Sequence, residues 1–295
     1  MGNAFDDRRV TLGIQTQDKT YSFDQRYFIR ATGSKLQTGG ILGEAEIRID
    51  NIDIALRNYL LTACSPYSQQ TYQNAQAGKA PPPFPLVTLD VGRASWGTFR
   101  VFQGNCIAVA PTQPPDIGLT LKSLQGVLLL GQPVALTMPQ NTLLSQLAQQ
   151  IATSNGLSLE FTATDKQIDN FSLTGSIYRQ IQKLGECGNI DVFIDNTTLV
   201  VKDSGNGRLG NIPVVSSQTG MVTVPVVNER GLQAKCLINS AIRIGGFIQV
   251  QSQINPAANG MWQVYKLGFD ISTWEQPFYW MIYAQFMRLG FGYTP

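Results

Sequence analysis

Glu44-Ala45-Glu46-Ile47-Arg48-Ile49-Asp50 alternates between charged and apolar residues. A strand through it puts Ala45, Ile47 and Ile49 on one face and Glu44, Glu46, Arg48 and Asp50 on the other. A sheet with one buried and one wet face is the antiparallel kind. Upstream, Val10, Leu12 and Ile14 alternate in the same way, and Tyr27-Phe28-Ile29-Arg30 reads as a further strand. Downstream the period changes. Ile54, Leu56, Tyr59, Leu60 and Ala63 group on one helical face within residues 52–63, with Asn51 placed to cap the helix.

Residues 65–85 are rich in Gln, Ala and Pro and include Pro81-Pro82-Pro83, which predicts an extended surface loop. Strands resume at 86–91, 97–109 and 117–130, bounded by Gly or Pro turns. So many short strands in one region argue for a barrel or a sandwich.

The middle of the chain has another grammar. Leu143, Leu144, Leu147 and Ile151 share a helical face within 142–155, with Gly156 at the C-terminus, and Ile177, Tyr178, Ile181 and Leu184 repeat the pattern within 175–188. Between and after these helices lie strands at 157–162, 190–194 and 198–202, the last two joined by Asp195-Asn196 as a hairpin turn. Residues 204–210 form a glycine-rich link, and strands return at 221–227, 231–239, 247–253, 261–271 and 278–286. The fold expected is mainly β with an α/β insertion. Its parts are 1–137 (with the helix and Pro-rich loop inserted at 51–85), a small helix-strand-helix-hairpin domain at 138–204, and a second β domain at 205–295.

Composition narrows the chemistry. Charged residues make up 14% of the chain, and 22 Lys+Arg against 20 Asp+Glu leave a formal +2. That is well below the ~25% charged residues of ordinary soluble domains, so no strong field is available for gripping phosphates. The chain contains no histidine. This removes the commonest general base, every Ser-His or Cys-His nucleophile pair and the commonest zinc ligand. Cys64, Cys106, Cys187 and Cys236 are widely spaced, which suits buried free thiols in a reducing cytosol. The first ten residues are polar, no apolar run reaches the ~18 residues needed to span a bilayer, and no cofactor or metal site is expected.

Three motifs have a bland reading that wins. Gly205-Asn206-Gly207-Arg208-Leu209-Gly210 fits a dinucleotide-binding string, but Asn211-Ile212-Pro213 follows where a helix is required, so it reads as a linker. Asp165 with Asp169, and Asp191 with Asp195, lack the order of a calcium loop and read as turn and capping residues. Glu44, Glu46 and Asp50 share a face without a pocket-forming motif, which makes a solvent-facing or lumen-facing stripe the better reading than acid–base catalysis. Along 278–286, Phe278, Trp280, Ile282, Ala284 and Phe286 point one way, and Tyr279, Met281, Tyr283 and Gln285 the other. Tyr and Met on that second face, continued by Phe291 and Tyr293, match the composition of a subunit or partner interface.

Three local patterns then resemble a known family. The first is Phe99-Arg100-Val101-Phe102-Gln103-Gly104-Asn105-Cys106-Ile107 with Pro115-Asp116-Ile117. The second is the helix, strand, helix and hairpin of 139–203. The third is Gly231-Leu232-Gln233-Ala234-Lys235-Cys236-Leu237-Ile238-Asn239, then Ile244-Gly245-Gly246-Phe247-Ile248-Gln249-Val250, then Gly260-Met261-Trp262-Gln263-Val264. Together they resemble the baseplate hub proteins at the centre of contractile phage tails, related to the hub portion of type VI secretion spike proteins.

That resemblance implies a non-enzymatic virion protein assembled in the host cytoplasm, with two hub-type β-barrels flanking the α/β domain. Three copies would form a pseudo-sixfold ring joining a sixfold tail tube to a threefold central spike. Wedge and tape-measure proteins would be further partners, and DNA would pass through without specific binding. Glu44, Glu46 and Asp50 would line the bore, since neutral or acidic walls do not hold phosphate. A tail-associated cell-wall hydrolase and a host-attachment or carbohydrate-binding module are the two other classes left open.

Overall fold

A computed structural model describes residues 6–37, 43–65, 73, 76, 84–114, 117–127, 134–137, 141–169, 171–186 and 190–286. The protein is mainly β, 51% strand and 15% helix. It divides into two compact units, Met1–Ser34 with Leu42–Val127 and Phe269–Phe278, and Lys35–Ile41 with Leu128–Gly268 and Tyr279–Pro295.

In the first unit lie β1 (Arg8–Gln15), β2 (Thr20–Phe23), most of β3 (Ile29–Leu36), β4 (Glu44–Asp50), α1 (Ile54–Ala63), β5 (Leu86–Arg93), β6 (Gly97–Pro111) and β7 (Gly118–Leu124). They pair in the order β3-β4-β7-β6-β5-β1-β2. The ladders within it are antiparallel. The alternation read from sequence sets the register. Ile47 faces Ala31 and Leu121 across its two neighbours, and all three are fully buried. Val10, Leu12 and Ile14 of β1 are buried beside Val91, Leu89 and Val87 of β5. Each such side chain contributes about 1.5–3 kcal/mol when fully removed from water. A one-residue slip would expose the whole set, which is why the register is unique.

Helix α1 begins two residues later than its sequence suggests. Asp53, not Asn51, is the N-cap, its carboxylate accepting from Ala55 N at 3.0 Å and Leu56 N at 3.2 Å. Asn51 instead takes φ 58°, a left-handed conformation that Asn tolerates better than most residues. Leu56 and Leu60 are the residues α1 buries. Most of the predicted loop 65–85, with its three prolines, lies outside the described residues.

The second unit contains β8 (Val134–Thr137), β9 (Thr142–Leu143), α2 (Leu144–Ser154), β10 (Ser158–Thr162), β11 (Gln167–Ile168), β12 (Ser172–Gly175), α3 (Ile177–Glu186), β13 (Ile190–Asp195) and β14 (Thr198–Asp203). It continues with β15 (Val214–Ser216), β16 (Val226–Asn228), β17 (Gly231–Leu237), β18 (Phe247–Gln251), most of β19 (Gly260–Ser272) and most of β20 (Phe278–Phe286). The two predicted helices are present. They bury Leu144, Leu147, Ile151, Ile177, Ile181 and Leu184 against Val192, Leu199 and Val201 of a three-stranded sheet ordered β10-β14-β13. Leu143 is not on that face; it stays in extended backbone ahead of α2 and is exposed. The first turn of α2 is capped from a distance, Asp165 accepting from Ser145 N at 3.0 Å and from Ser145 Oγ at 2.6 Å.

In the rest of this unit the order is β16-β17-β20-β19, with β18 antiparallel to β19 and β15 parallel to β18. The strand expected at 221–227 forms only at Val226–Asn228, preceded by an isolated bridge between Met221 and Cys236. Among the described residues no ladder joins β2 to β3 or β16 to β18, so neither order closes on itself.

Candidate functional site

Three places gather the chemistry-bearing side chains, and sequence reading singled out residues in all three. The most enclosed is a charge network in the second unit. Lys35 Nζ meets Asp195 Oδ1 at 2.7 Å, and Arg208 Nη1 meets Asp195 Oδ2 at 2.7 Å. Arg208 also makes a paired contact with Glu160, Nε to Oε1 at 3.0 Å and Nη2 to Oε2 at 2.6 Å. Next to it Lys202 Nζ, fully buried, meets Asp191 Oδ2 at 2.5 Å and donates to Asn206 O at 2.7 Å. Asp191 further accepts from Gln37 Nε2 and Ser204 Oγ.

The network therefore sets three cations against three carboxylates. Burial alone would push the Asp195 carboxyl up, but Lys35 and Arg208 outweigh it and hold it at about 2. Burial would likewise lower Arg208, and Glu160 and Asp195 raise it instead. The charges of this set cancel, and ion pairs tie down each of its carboxylates. The network fixes geometry: the Arg208 loop is locked to β10 and β13.

The second place is the acidic stripe of β4. Glu44 and Glu46 are exposed on the face opposite the core, as the alternation predicts. Asp50 is buried and ion-paired to Arg48, with Nε to Oδ1 and Nη2 to Oδ2 both at 3.0 Å. Lys122 of β7 lies directly across from Glu46 in the ladder. Glu44, Glu46 and Lys122 line a shallow cavity of about 310 Å³ with Thr32, Gly33 and Ser34. The structure thus brings Glu44 and Glu46 together beside a lysine and buries most of Asp50 against Arg48. Glu44 and Glu46 are exposed carboxylates beside a cation, not walled in by apolar side chains.

The third place is the outward face of β20. Phe278, Trp280, Ile282 and Ala284 are buried, while Tyr279, Met281 and Tyr283 are half-buried on the other side. Lys235 Nζ sits 5.1 Å from the Tyr279 ring centre and Lys266 Nζ 5.3 Å from that of Tyr283. Each is a cation over an aromatic face, a favourable arrangement that also keeps both ammonium groups at the surface. Phe286 is exposed, not part of the inner row. Phe291 and Tyr293 lie outside the described residues. Two ladder positions away, β16 is the last strand of its order, and Val226 and Val227 are exposed there.

A family model described as baseplate hub gp41 matches residues 9–284. The chain belongs to the baseplate hub gp41 family. The resemblance read from the strand, helix and hairpin patterns is to this same class of protein. No curated protein matches the chain. Among solved structures, a tail protein from Neisseria meningitidis is similar at a TM-score of 0.62 with 7% identity, over 94% of this chain and 96% of that one. An E. coli component of the type VI secretion system, described as structurally similar to the bacteriophage tail proteins gp27 and gp5, is similar at 0.57 with 10% identity, over 96% and 79%. At such identities the likeness is one of fold.

This baseplate hub protein is therefore a structural component of a phage tail. No helix among its described residues is long and apolar enough to cross a membrane. In a hub, the three places have distinct uses: the charge network is internal rigidity, while the β4 stripe and the β20 face are surfaces. Sequence reading missed the network, because Asp191 and Asp195 read as turn residues and Arg208 as part of a linker. The one available signal was Arg208 itself, an arginine within a glycine-rich string that leads into a strand and not a helix.

Proposed function

We propose that three copies of this hub form a ring that joins a sixfold tail tube to a threefold central spike and lets DNA pass through its bore. The observation that carries the reading is the family match over 9–284, nearly the whole chain. The physical character of the surface agrees with it. A chain with few charges and a net charge near zero has little self-repulsion to keep copies apart. Among the described residues β16 is the last strand of its order and carries exposed Val226 and Val227, and an uncovered strand edge is a template for pairing with another chain.

In this proposal the β regions of 1–137 and 205–295 act as two hub-type barrels flanking 138–204, so that three subunits present six similar faces to the tube. Glu44 and Glu46 line the bore, with Asp50 setting Arg48 back from it. The face with Tyr279, Met281 and Tyr283, continued by Phe291 and Tyr293, meets a neighbouring subunit or a tail partner. The role is structural and not enzymatic; wedge and tape-measure proteins are further partners. Electron microscopy of the chain mixed with its co-encoded tube and spike proteins tests it. Three hub copies per tube end are expected, and any stoichiometry that three does not divide would overturn it.

A further inference from the structure

A cavity of about 690 Å³ opens on the first unit, between the start of β1 and the segment that joins β19 to β20. Its size is that of a small-molecule site. It gathers two guanidinium groups, the Arg8 Cζ 5.0 Å from the ring centre of Phe278 and the Arg93 Cζ 5.3 Å from the same centre. Arg8 Nη1 donates to Glu275 O at 2.5 Å and Nη2 to Gln276 O at 3.0 Å, while Arg93, 7% exposed, donates from Nη1 to Asp6 O at 2.6 Å. Among the described residues no carboxylate is ion-paired to either. Burial lowers both guanidinium groups from their ordinary value, and the nearness of Arg93 lowers Arg8 further. Two like charges drawn partly out of water beside one ring carry a cost that a bound anion would relieve. The acids of the cavity stand differently. Glu275 is ion-paired to Arg30, and the two Asp6 oxygens accept from the backbone N–H groups of Asp7 and Ser95. Asp7 and Glu275 are exposed, where water screens them, whereas Arg93 is buried. Above this lies Trp274, 63% exposed and yet held, its indole N–H donating to Gln25 O at 3.0 Å and its ring centre 5.7 Å from that of Phe28.

We propose that this cavity binds a saccharide bearing a carboxylate, with Arg8 and Arg93 taking the carboxylate and Trp274 stacking on a face of the sugar ring. A guanidinium presents its donors in a plane that matches two carboxylate oxygens. A sugar ring offers a face of C–H groups and a rim of hydroxyls. An aromatic ring pinned with most of its surface in solvent matches the face. Asp7, Gln25 and Gln276, which also line the cavity, match the hydroxyls, since carboxylates and amides accept from O–H and amides donate as well. A peptide fits this lining less well. Apart from Trp274 every lining side chain is polar or charged, so aliphatic side chains would find nothing else to bury against. The lining residues all belong to the first unit, so the site does not depend on how copies of the hub assemble.

The test is calorimetric titration of the purified full chain with a hyaluronan tetrasaccharide and with its carboxyl-reduced counterpart, which differs only in lacking the carboxylates. The acidic form should bind roughly 10–100-fold more tightly than the neutral one, the worth of one hydrogen-bonded charge pair. Its affinity alone should fall as salt is added. Trp274→Ala, at an exposed position, should weaken both forms roughly 2–10-fold and leave the melting temperature unchanged. Arg93→Gln should bring the two forms to equal affinity; where that variant does not fold, the wild-type comparison and Trp274→Ala decide the matter. No binding of the acidic form, equal binding of the two forms by the wild-type chain, binding untouched by Trp274→Ala, or tighter binding of a tetraglutamate peptide would each overturn the proposal.

Discussion

Replacing Asp195 with alanine removes the carboxylate shared by Lys35 and Arg208 and leaves Lys35, 6% exposed, without the oxygen it meets at 2.7 Å. Arg208 keeps its paired contact with Glu160, so the cost falls mainly on Lys35. Breaking a buried pair from one side costs about 3–5 kcal/mol, chiefly as the penalty of the charge left behind. Part of it is visible as pH dependence. The carboxyl titrates at about 2 in the folded chain against an ordinary value of 3.8, and each pH unit of depression is worth about 1.4 kcal/mol, giving roughly 2 kcal/mol. Because the folded value is the lower one, this share is fully present above about pH 4 and is lost as pH falls to about 2. The assay is urea denaturation followed by circular dichroism and by the buried Trp262 and Trp280. Asp195→Ala should lower stability by 3–5 kcal/mol at neutral pH, and Lys35→Met in the same chain should recover about half by removing the stranded ammonium. A loss under about 1 kcal/mol, or no recovery in the double variant, would refute the network as the lock of the second unit.

Other sites give sharper or milder outcomes. Gly92→Ala should destabilise the first unit by 1–3 kcal/mol or more, since the new methyl would meet the backbone oxygen of Gly97 across the β5–β6 turn; an unchanged denaturation midpoint would count against that packing. Val226→Glu places a charge on the open edge of β16, which should leave monomer stability within about 0.5 kcal/mol yet weaken self-association measured by sedimentation; unaltered association would remove β16 from the interface. Glu44→Lys with Glu46→Lys should leave folding intact but make the assembled hub retain DNA in a salt-dependent filter assay, and continued failure to retain DNA would move the bore elsewhere.

How much of this was legible in the sequence depends on the range of the interaction. Residues 45–49 and 278–284 read correctly because one face of each strand is buried, and burial imposes the period directly. Local ends were less secure. Asn51 and Asp53 are both capping residues, and the sequence does not say that Asn51 will take the left-handed turn and leave the cap to Asp53. The hairpin turn is Asn196-Thr197, not Asp195-Asn196: Asn196 supplies the φ of 54° that the turn needs, which keeps Asp195 in the strand and lets it face Lys35. The network was invisible because its members come from positions 35, 160, 191, 195, 202 and 208, and nothing periodic links them. The β4 stripe was half legible. Alternation put Glu44, Glu46, Arg48 and Asp50 on one face, but the pairing of Arg48 with Asp50 that buries the last carboxylate is a matter of side-chain reach, not of period.

The central claim is that this hub works as a ring of three. Light scattering behind a sizing column, with the chain alone at several concentrations and then mixed with its co-encoded spike protein, addresses it directly. The account predicts a particle containing three chains of 32.3 kDa, either alone or when the spike is present. A monomer that persists in every mixture would contradict it.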